Sequence, residues 1–272
     1  MEDLHFYIIS LKTRTDRRRR MIGRIINMGL NMKYVHFIDA TTIDDLKGRT
    51  KFDMNELDIC GSKLGHITGC LDSHIRALKL IKDGGNDMGV VLEDDVMFMK
   101  NFPNILQSLK QQKLPCVLLG WSYVHAPYSQ NISLVKNTSE DWGTQGYLVT
   151  KEFAAKMYEM HYEDVYTEKA KTSEKITKGK ENYKVVPPIL IEEPFCMSNI
   201  RDTNSYNYNW ISNRRWGIEN YTAYEDQYFY ILYGMMMTNN KTEFNNLRKI
   251  VEGKDLGESI QNYITSKGKI LN

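Results

Sequence analysis

Apolar and polar positions at the start of the chain follow two periods, one typical of buried strands and one of amphipathic helices. The segment HFYIISL, residues 5–11, has the composition of a strand, and apolar positions then repeat at helical spacing over residues 21–28. Gly29 is well placed to end this helix. KYVHFID, residues 33–39, has the pattern of a second strand. This β-α-β order requires a crossover connection and predicts a parallel pair of strands.

The same alternation continues through a second helix and a third strand. Apolar positions share one helical face between residues 71 and 81, and two glycines follow the helix. GVVLEDD, residues 89–95, then has the pattern of a buried strand that ends in three carboxylates. Helices that alternate with apolar strands predict an α/β fold with a mostly parallel central sheet flanked by helices. Such sheets bind ligands beyond the C-terminal ends of their strands, where these carboxylates would lie.

The second half of the chain has weaker patterns. Strands are predicted at residues 115–122 and 143–150, and the charge-dense stretch 163–182 is interpreted as an exposed or mobile loop. We interpret residues 1–205 as the main domain. Residues 206–272, which are rich in aromatic side chains and Asn, are interpreted as a helical extension packed on the same domain.

Composition and charge exclude several classes of protein. The chain has 272 residues, of which 42% are hydrophobic and 26% charged, and its formal net charge is +2. This composition is typical of a soluble globular protein, and the charge is too small to indicate a nucleic-acid partner. No uncharged run reaches the roughly 18 residues that a transmembrane helix needs, so no transmembrane segment is predicted.

The N-terminus and the cysteines predict a cytoplasmic protein that is not secreted, either bacterial or, if viral, in the host cytoplasm. Glu2 and Asp3 precede a short apolar run, which differs from the basic start of a signal peptide. The cysteines lie far apart, without a CxxC pair or a spacing typical of a metal site, so reduced thiols are predicted. They are Cys60, Cys70, Cys116 and Cys196.

The three carboxylates at the end of the third strand, Glu93, Asp94 and Asp95, permit two interpretations. Adjacent carboxylates repel one another, and a divalent cation held by oxygen ligands would relieve that repulsion. The alternative is that they begin a solvated turn or cap the next helix. The pattern alone leaves both open.

A basic run, residues 12–20, follows the first strand directly. Arg14, with Arg17 or Arg18, could reach phosphate groups next to the start of the following helix. Four successive arginines on a helix point in all directions, however, so at most one or two can face a ligand. A surface that binds nucleic acid would also need interleaved aromatic residues, which are absent here.

Two polar side chains on the second helix are further candidates. His74 lies on the same apolar stripe as Leu71 and Leu78, so its imidazole points inward, either as a core residue or toward a ligand. Ser73 beside it could contact a ligand or act as a capping group.

Several segments, in this order along the chain, resemble glycosyltransferase family 25, the group that includes lipopolysaccharide galactosyltransferases and collagen galactosyltransferases. The resemblance covers residues 5–205. The matching segments are YIISLKTRTDRRRRM (7–21), YVHFIDA (34–40), GCLDSHIRALKLI (69–81), VVLEDDV (90–96), LLGWS (118–122), GTQGYLVTKEFAAKM (143–157) and VVPPILIEEPFCMSNIRD (185–202).

This resemblance implies a glycosyltransferase with a GT-A type nucleotide-sugar-binding fold over residues 1–205. It implies Mn²⁺ or Mg²⁺ as cofactor and inverting transfer of a hexose such as galactose from a UDP-sugar to a hydroxyl of a glycan or glycoprotein acceptor, as in lipopolysaccharide or glycan biosynthesis. Glu93 and Asp95 would bind the metal. The implied donor-binding residues are Ser10, Leu11, Arg14, Arg17, Ser73, His74, Asp94, Gly143 and Thr144.

The chain departs from the family pattern at two points, and these leave the general base open. The family usually has Asn where this chain has Ser10, and its Val/Ile-Asp pair is missing before the Pro-Pro segment. Four carboxylates are therefore candidates for the base. They are Asp164 and Glu174, which occupy the corresponding interval, and Glu225 and Asp226, which precede an apolar helical pattern as in other GT-A enzymes. For the last two, the alternative role is to complement the helix dipole.

Two other classes of protein share some of these sequence features. A phosphoryl- or nucleotidyl-transfer enzyme would also place acids at a strand end, but the chain has neither a Walker glycine loop nor a D-x-D-x-T after the first strand. A catalytically inactive sugar-binding or assembly protein that retains the GT-A fold remains the alternative.

Overall fold

A computed structural model describes residues 4–57, 62–122, 131–137, 142–167, 173–179 and 181–192. The predicted C-terminal extension, residues 206–272, lies outside these ranges and stays a prediction. The strands are β1 (His5–Ser10), β2 (Val35–Asp39), β3 (Met88–Glu93), β4 (Val96–Phe98), β5 (Cys116–Ser122), β6 (Ser133–Lys136), β7 (Trp142–Thr150), β8 (Tyr183–Val186) and β9 (Leu190–Glu192). The helices are α1 (Thr15–Asn27), α2 (Ile43–Leu46), α3 (Leu64–Asp83), α4 (Phe102–Gln111), α5 (Lys151–His161), α6 (Asp164–Thr167) and α7 (Glu174–Thr177).

The described strands form one sheet in the order β2-β1-β3-β7-β5-β8-β6, and β9 pairs with β4 and β5. The predicted α/β class is confirmed, and β1 is parallel to both β2 and β3 as the β-α-β pattern indicates. The sheet is mixed, so the prediction of a mostly parallel sheet holds in part: β1, β2 and β3 are parallel, whereas β7 enters between β3 and β5 and runs antiparallel to both. Local patterns of apolar residues report burial but not strand direction, so this reversal was not predictable from them.

Helix α1 packs on the sheet through a face that combines apolar and basic side chains. Met21 and Ile25 are fully buried, and Arg17 and Arg24 share this buried face because they lie four and three residues from Met21. The predicted stop is confirmed: the helix ends at Asn27, and Gly29 adopts a positive φ of 68°.

Helix α3 begins at Leu64, seven residues before the predicted start at Leu71, and it packs on the opposite face of the sheet. The extra turns bring Gly69 against the backbone oxygen of Thr41, where a Cβ would overlap that oxygen. A glycine is therefore required for the loop after β2 to approach the helix so closely.

The core has one layer on each side of the sheet. Along β1, Phe6 and Ile8 join the cluster that contains α1 and α4, where Phe98 and Phe102 meet edge to face. On the other side, Gly89 of β3 leaves room for Ile81 of α3.

The described parts of the charged stretch 163–182 include short helices where an exposed or mobile loop was predicted. They are α6 and α7, and each buries one apolar residue, Val165 and Ile176. These two side chains are isolated in a polar segment, so no periodic pattern marked them in the sequence.

Two further observations concern the membrane and the thiols. None of the helices in the described part of the chain combines the length and the apolar character needed to cross a bilayer. The described cysteines Cys70 and Cys116 do not form disulfide bonds, and burial raises the pKa of the Cys116 thiol far above its ordinary value.

Candidate functional site

A pocket of about 360 Å³ opens at the edge where the parallel strands β1, β2 and β3 end. Ser10 is in register with Asp39, and Ile9 with Glu93, so the three strands end side by side. The residues that line the pocket are Ile9, Ser10, Leu11, Arg17, Ala40, Thr41, Thr42, Ile43, Asp44, His66, Cys70, Ser73, His74, Glu93, Asp94 and Asp95. The predicted ligand edge is thus a concave surface that carries both signs of charge.

A buried arginine balances two of the three carboxylates. The Nη1 atom of Arg17 lies 2.9 Å from Oδ1 of Asp94 and 3.3 Å from Oδ2 of Asp95. The other oxygen of Asp94, Oδ2, accepts a hydrogen bond of 2.6 Å from the Ser10 hydroxyl. Because all of these side chains are almost completely buried, the ion pair experiences little screening by water.

Helix α1 holds the acidic turn between β3 and β4 at two points. Besides the Arg17 contacts, Nη1 of Arg24 donates to the backbone oxygen of Val96 at 3.0 Å. The two arginines lie seven residues apart, which places them on one face of the helix, two turns apart. The turn that carries the carboxylates is therefore fixed to a rigid element.

Two further arginines of the basic run are engaged in polar contacts. Arg18 donates to the hydroxyl and the backbone oxygen of Ser10 at 3.2 and 2.9 Å, and to Oδ1 of Asp39 at 2.5 Å. Arg14 forms two 2.9 Å hydrogen bonds to Asp16, which hold the pKa of that carboxyl at about 2. Arg17 and Arg18 thus face the strand ends, which agrees with the prediction that only one or two of the successive arginines can do so.

Glu93 faces a different set of neighbours from Asp94 and Asp95. Its Oε1 atom lies 3.4 Å from Nε2 of His74 and accepts a 3.1 Å hydrogen bond from the Thr144 hydroxyl. Desolvation acts to raise the pKa of Glu93, but His74, Thr144 and the charge of Arg17 outweigh it and lower that pKa below its ordinary value. Glu93 is also the most exposed of the three carboxylates, with 26% of its side chain accessible.

His74 is fully buried and is held by a tyrosine. Its Nδ1 atom lies 3.0 Å from the hydroxyl of Tyr147, and the two rings stack with centroids 5.7 Å apart. Burial raises the pKa of Tyr147 well above its ordinary value, so the phenol stays neutral. The Nε2 atom of His74 is the ring nitrogen that points toward Glu93.

The loop after β2 is fastened to α3 by a polar network. Ser73 accepts a 2.9 Å hydrogen bond from the backbone N–H of Thr41 and donates to the backbone oxygen of Gly69 at 2.6 Å. Asp72 accepts from the Thr41 hydroxyl at 2.5 Å and from the Tyr166 hydroxyl at 2.9 Å. These contacts shape the pocket wall that faces the carboxylates.

The structure brings together many of the residues proposed to act on a donor or a metal. Those that line the pocket are Ser10, Leu11, Arg17, Ser73, His74, Glu93, Asp94 and Asp95. Thr144 does not line it but contacts Glu93. Arg14 and Gly143 are not among the lining residues. For all the residues named in this paragraph, the proposed roles in binding and catalysis stay predictions.

The candidates for the general base are not assembled at the pocket in the described part of the chain. Asp164 pairs with Nδ1 of His161 at 3.0 Å and is not a lining residue. The side chain of Glu174, together with Glu225 and Asp226, lies outside the described residues. All four assignments stay predictions.

Sequence reasoning missed several residues that the pocket includes or depends on. Thr41 and Asp72 shape its wall, and Cys70 and His66 line it. The spacing between the cysteines did not indicate a role for Cys70. Its position four residues before His74 could have indicated one, because residues four apart share one face of a helix.

The groups at the strand ends suit the divalent cation that the family resemblance implies. Carboxylate oxygens suit Mn²⁺ and Mg²⁺, and both Glu93 and Asp95 line the pocket. Arg17 already balances part of the charge of Asp95, so a cation would share that carboxylate with the guanidinium. The chemistry of the donor set therefore fits a hard cation bound through Glu93 and Asp95.

Comparisons with solved structures gave weak likenesses. A197 from STIV has 12% sequence identity and a TM-score of 0.33, with 62% of this chain and 82% of that chain covered. A putative glucose-1-phosphate thymidylyltransferase from Bacillus anthracis, in complex with a sucrose, has 13% identity and a TM-score of 0.31, with 59% and 58% covered. At these scores neither likeness carries an argument.

The sequence comparisons were more decisive. No curated protein matched the chain. The sequence model described as "Glycosyltransferase family 25 (LPS biosynthesis protein)" matches residues 3–125, a range that includes every residue lining the pocket. The resemblance to glycosyltransferase family 25 is therefore confirmed over residues 3–125, which contain the motifs up to LLGWS (118–122), whereas the motifs at residues 143–157 and 185–202 lie outside the matched range.

Proposed function

We propose that this protein is a metal-dependent glycosyltransferase of GT-A type that takes a sugar from a UDP-sugar and transfers it to a hydroxyl of a glycan or glycoprotein. One observation carries the proposal: all the residues that line the pocket at the ends of β1, β2 and β3 fall within the segment that matches the glycosyltransferase family. Ligands of open α/β sheets bind at this edge. The pocket volume of about 360 Å³ suits a small-molecule ligand.

The charges around the pocket suit a donor with a diphosphate. Arg18 brings a partly exposed guanidinium group to the end of β1, and guanidinium groups bind phosphate oxygens through paired hydrogen bonds. The hydroxyls of Ser10 and Ser73 lie on the same surface and can donate to or accept from a ribose or sugar. The lining carries four carboxylates, Asp44, Glu93, Asp94 and Asp95, against the single guanidinium of Arg17, so attraction for a diphosphate would depend on the bound cation.

Glu93 and Asp95 would hold the Mn²⁺ or Mg²⁺. When bound, this cation supplies Lewis-acid stabilisation of the charge that develops on the departing nucleotide. Arg17 keeps the acidic turn in place through Asp94 and Asp95, so its role is to orient the carboxylates. Thr144 and His74 orient Glu93 in the same way from the other side.

Inverting transfer needs a carboxylate that removes the proton of the acceptor hydroxyl. We assign this role to one of Glu225, Asp226, Glu174 and Asp164. The test is the set of substitutions Glu225→Gln, Asp226→Asn, Glu174→Gln and Asp164→Asn. One of them should slow transfer strongly while donor affinity is unchanged, and wild-type turnover in all four would remove this group from the mechanism.

The transferase proposal is tested with the full-length chain, Mn²⁺ and a panel of nucleotide sugars. We expect a UDP-sugar to raise the melting temperature, because a ligand that binds the folded state stabilises it by mass action. Release of UDP without an acceptor should accompany binding. Asp95→Asn, which preserves side-chain volume, should reduce both signals at least tenfold, whereas Asp83→Asn, at the exposed end of α3, should leave them unchanged.

The outcomes separate the competing functions. A thermal shift without any release of nucleotide would favour the catalytically inactive sugar-binding protein. Binding that is equally strong without metal and in Asp95→Asn would contradict the proposed metal role. If no nucleotide sugar produces a shift at millimolar concentration, the transferase proposal fails.

A further inference from the structure

Three side chains of different ligand types converge at the pocket wall. Cys70 and His74 are four residues apart on α3 and therefore share one helix face, and Glu93 reaches them from the end of β3. One ligand atom from each, the sulfur, a ring nitrogen and a carboxylate oxygen, all lie within 4.8 Å of one another. All three residues line the pocket.

The imidazole of His74 provides a second, independent observation. Its side chain is 0% exposed, and its Nε2 atom makes no hydrogen bond although it is buried. Glu93 Oε1 lies 3.4 Å away, within the distance of an ion pair but without the geometry of a hydrogen bond. A buried polar atom without a hydrogen bond is destabilising, so an additional group at this position would be stabilising.

We propose that Cys70, His74 and Glu93 form a binding site for a borderline divalent cation of the zinc type. Thiolate, imidazole and carboxylate are the ligands that Zn²⁺ takes from proteins, whereas Mn²⁺ and Mg²⁺ prefer oxygen alone. On binding, the thiol proton of Cys70 leaves to solvent and the thiolate becomes the ligand.

The observed distances are close to those of an assembled site. The ligand atoms of a tetrahedral zinc ion lie roughly 3.3–3.6 Å apart, as follows from its bond lengths. The separation of 3.4 Å between His74 Nε2 and Glu93 Oε1 falls within this range. With every ligand atom within 4.8 Å of the others, the sulfur of Cys70 needs to move by no more than about 1.5 Å.

Neighbouring polar groups orient the three ligands. Tyr147 contacts Nδ1 of His74 at 3.0 Å and leaves Nε2 directed at the site. The Thr144 hydroxyl donates to Glu93 and lies 2.8 Å from the Ser173 hydroxyl, which in turn accepts from the Cys70 sulfur at 3.5 Å. Such outer partners are typical of metal sites, where they hold the ligands in the geometry that the ion needs.

Three protein ligands leave the fourth position of the ion open to the pocket. This arrangement is typical of zinc sites that bind a water molecule or a substrate atom, and it differs from closed structural sites with four protein ligands. The inference goes beyond the proposed transferase, because it assigns Glu93 to a second class of cation. If both proposals hold, zinc and the hard cation compete for this carboxylate.

The experiment uses Co²⁺ as a spectroscopic substitute for zinc in the full-length chain. Cys60 and Cys196 are first replaced by serine, so that the remaining thiols are Cys70 and Cys116. Addition of Co²⁺ should give a thiolate-to-cobalt absorption band that one equivalent of Zn²⁺ abolishes. Cys70→Ser should eliminate the band, whereas Cys116→Ser, a matched change at a buried thiol in β5, should retain it.

Zinc affinity, measured by calorimetry, gives the second readout. Tyr147→Phe removes only the contact to Nδ1 and should weaken binding roughly 10–100-fold, the usual loss for an outer partner. Cys70→Ser should weaken it further. Absence of the cobalt band, or a band that survives Cys70→Ser, would overturn the proposal.

Neither measurement depends on a nucleotide sugar. Failure of the zinc site therefore leaves the transferase proposal standing, and the reverse is also true.

Discussion

Nη1 of Arg17 lies 2.9 Å from Oδ1 of Asp94, and the two side chains are 2% and 6% exposed. This buried pair connects helix α1 to the acidic turn after β3 across 77 residues of sequence. A charge without its partner is costly in such a position, because water cannot replace the lost interaction. The pair is therefore expected to determine both the stability of the edge and the placement of its carboxylates.

We predict that Arg17→Met destabilises the protein by about 3–5 kcal/mol, since it leaves two buried carboxylates without their cation. Arg19→Met, at an exposed position of the same helix, should change stability by less than about 0.5 kcal/mol. Urea unfolding measures both. In a background with Asp94→Asn and Asp95→Asn the loss should be much smaller, and an equal loss in both backgrounds would show that the charges are not coupled.

Ser10 stands where the family usually has Asn, and its hydroxyl donates to the buried Asp94 at 2.6 Å. Ser10→Ala removes this donor, so we expect a loss of about 1–3 kcal/mol in the free energy of unfolding. Ser108→Ala provides the matched control on the exposed face of α4, where the effect should be close to zero. Equal unfolding midpoints for the two variants would argue against an energetic role for the Ser10–Asp94 bond.

Two helical glycines should respond in opposite directions to the same substitution. Gly69→Ala places a methyl group against the backbone oxygen of Thr41, so we expect a loss of about 1–3 kcal/mol from overpacking. Gly23→Ala meets nothing within 4 Å and should stabilise α1 by about 0.5–1 kcal/mol. The change in melting temperature of each variant gives the sign of its effect on stability. A stabilising Gly69→Ala substitution would contradict the close approach of the loop after β2 to α3.

A pair of histidines predicts how stability depends on pH. His36 Nε2 lies 2.8 Å from His5 Nδ1, and burial together with the neighbouring His5 lowers the pKa of His36 below its ordinary value of 6.5. The unfolded chain then binds a proton more readily than the folded one. The contribution of neutral His36 to the free energy of unfolding should therefore be fully present above pH 6.5 and should decrease as the pH falls below that value.

His36→Phe preserves the stacking on Tyr7 and His5 but cannot be protonated. Its unfolding free energy, followed by urea titration between pH 5 and pH 8, should fall less steeply on acidification than that of the wild type. Parallel curves for the two proteins would exclude His36 as the source of the pH dependence.

The sequence alone determined the parts of this protein that depend on local patterns. The change between strand-like and helix-like spacing of apolar residues located β1, α1, β2 and β3. Burial of one face fixes this spacing along a helix or a strand. The position of the carboxylates followed from the strand that precedes them, and the family resemblance followed from the order of the motifs.

The tertiary structure decided which residues meet, and this depends on contacts between distant segments. The direction of β7, the early start of α3 and the pairing of Arg17 with Asp94 leave no periodic trace in the sequence. The convergence of Cys70, His74 and Glu93 also required the packing of α3 against the end of β3. Spacing along a chain reports which face a side chain occupies, whereas only the packed fold brings two faces together.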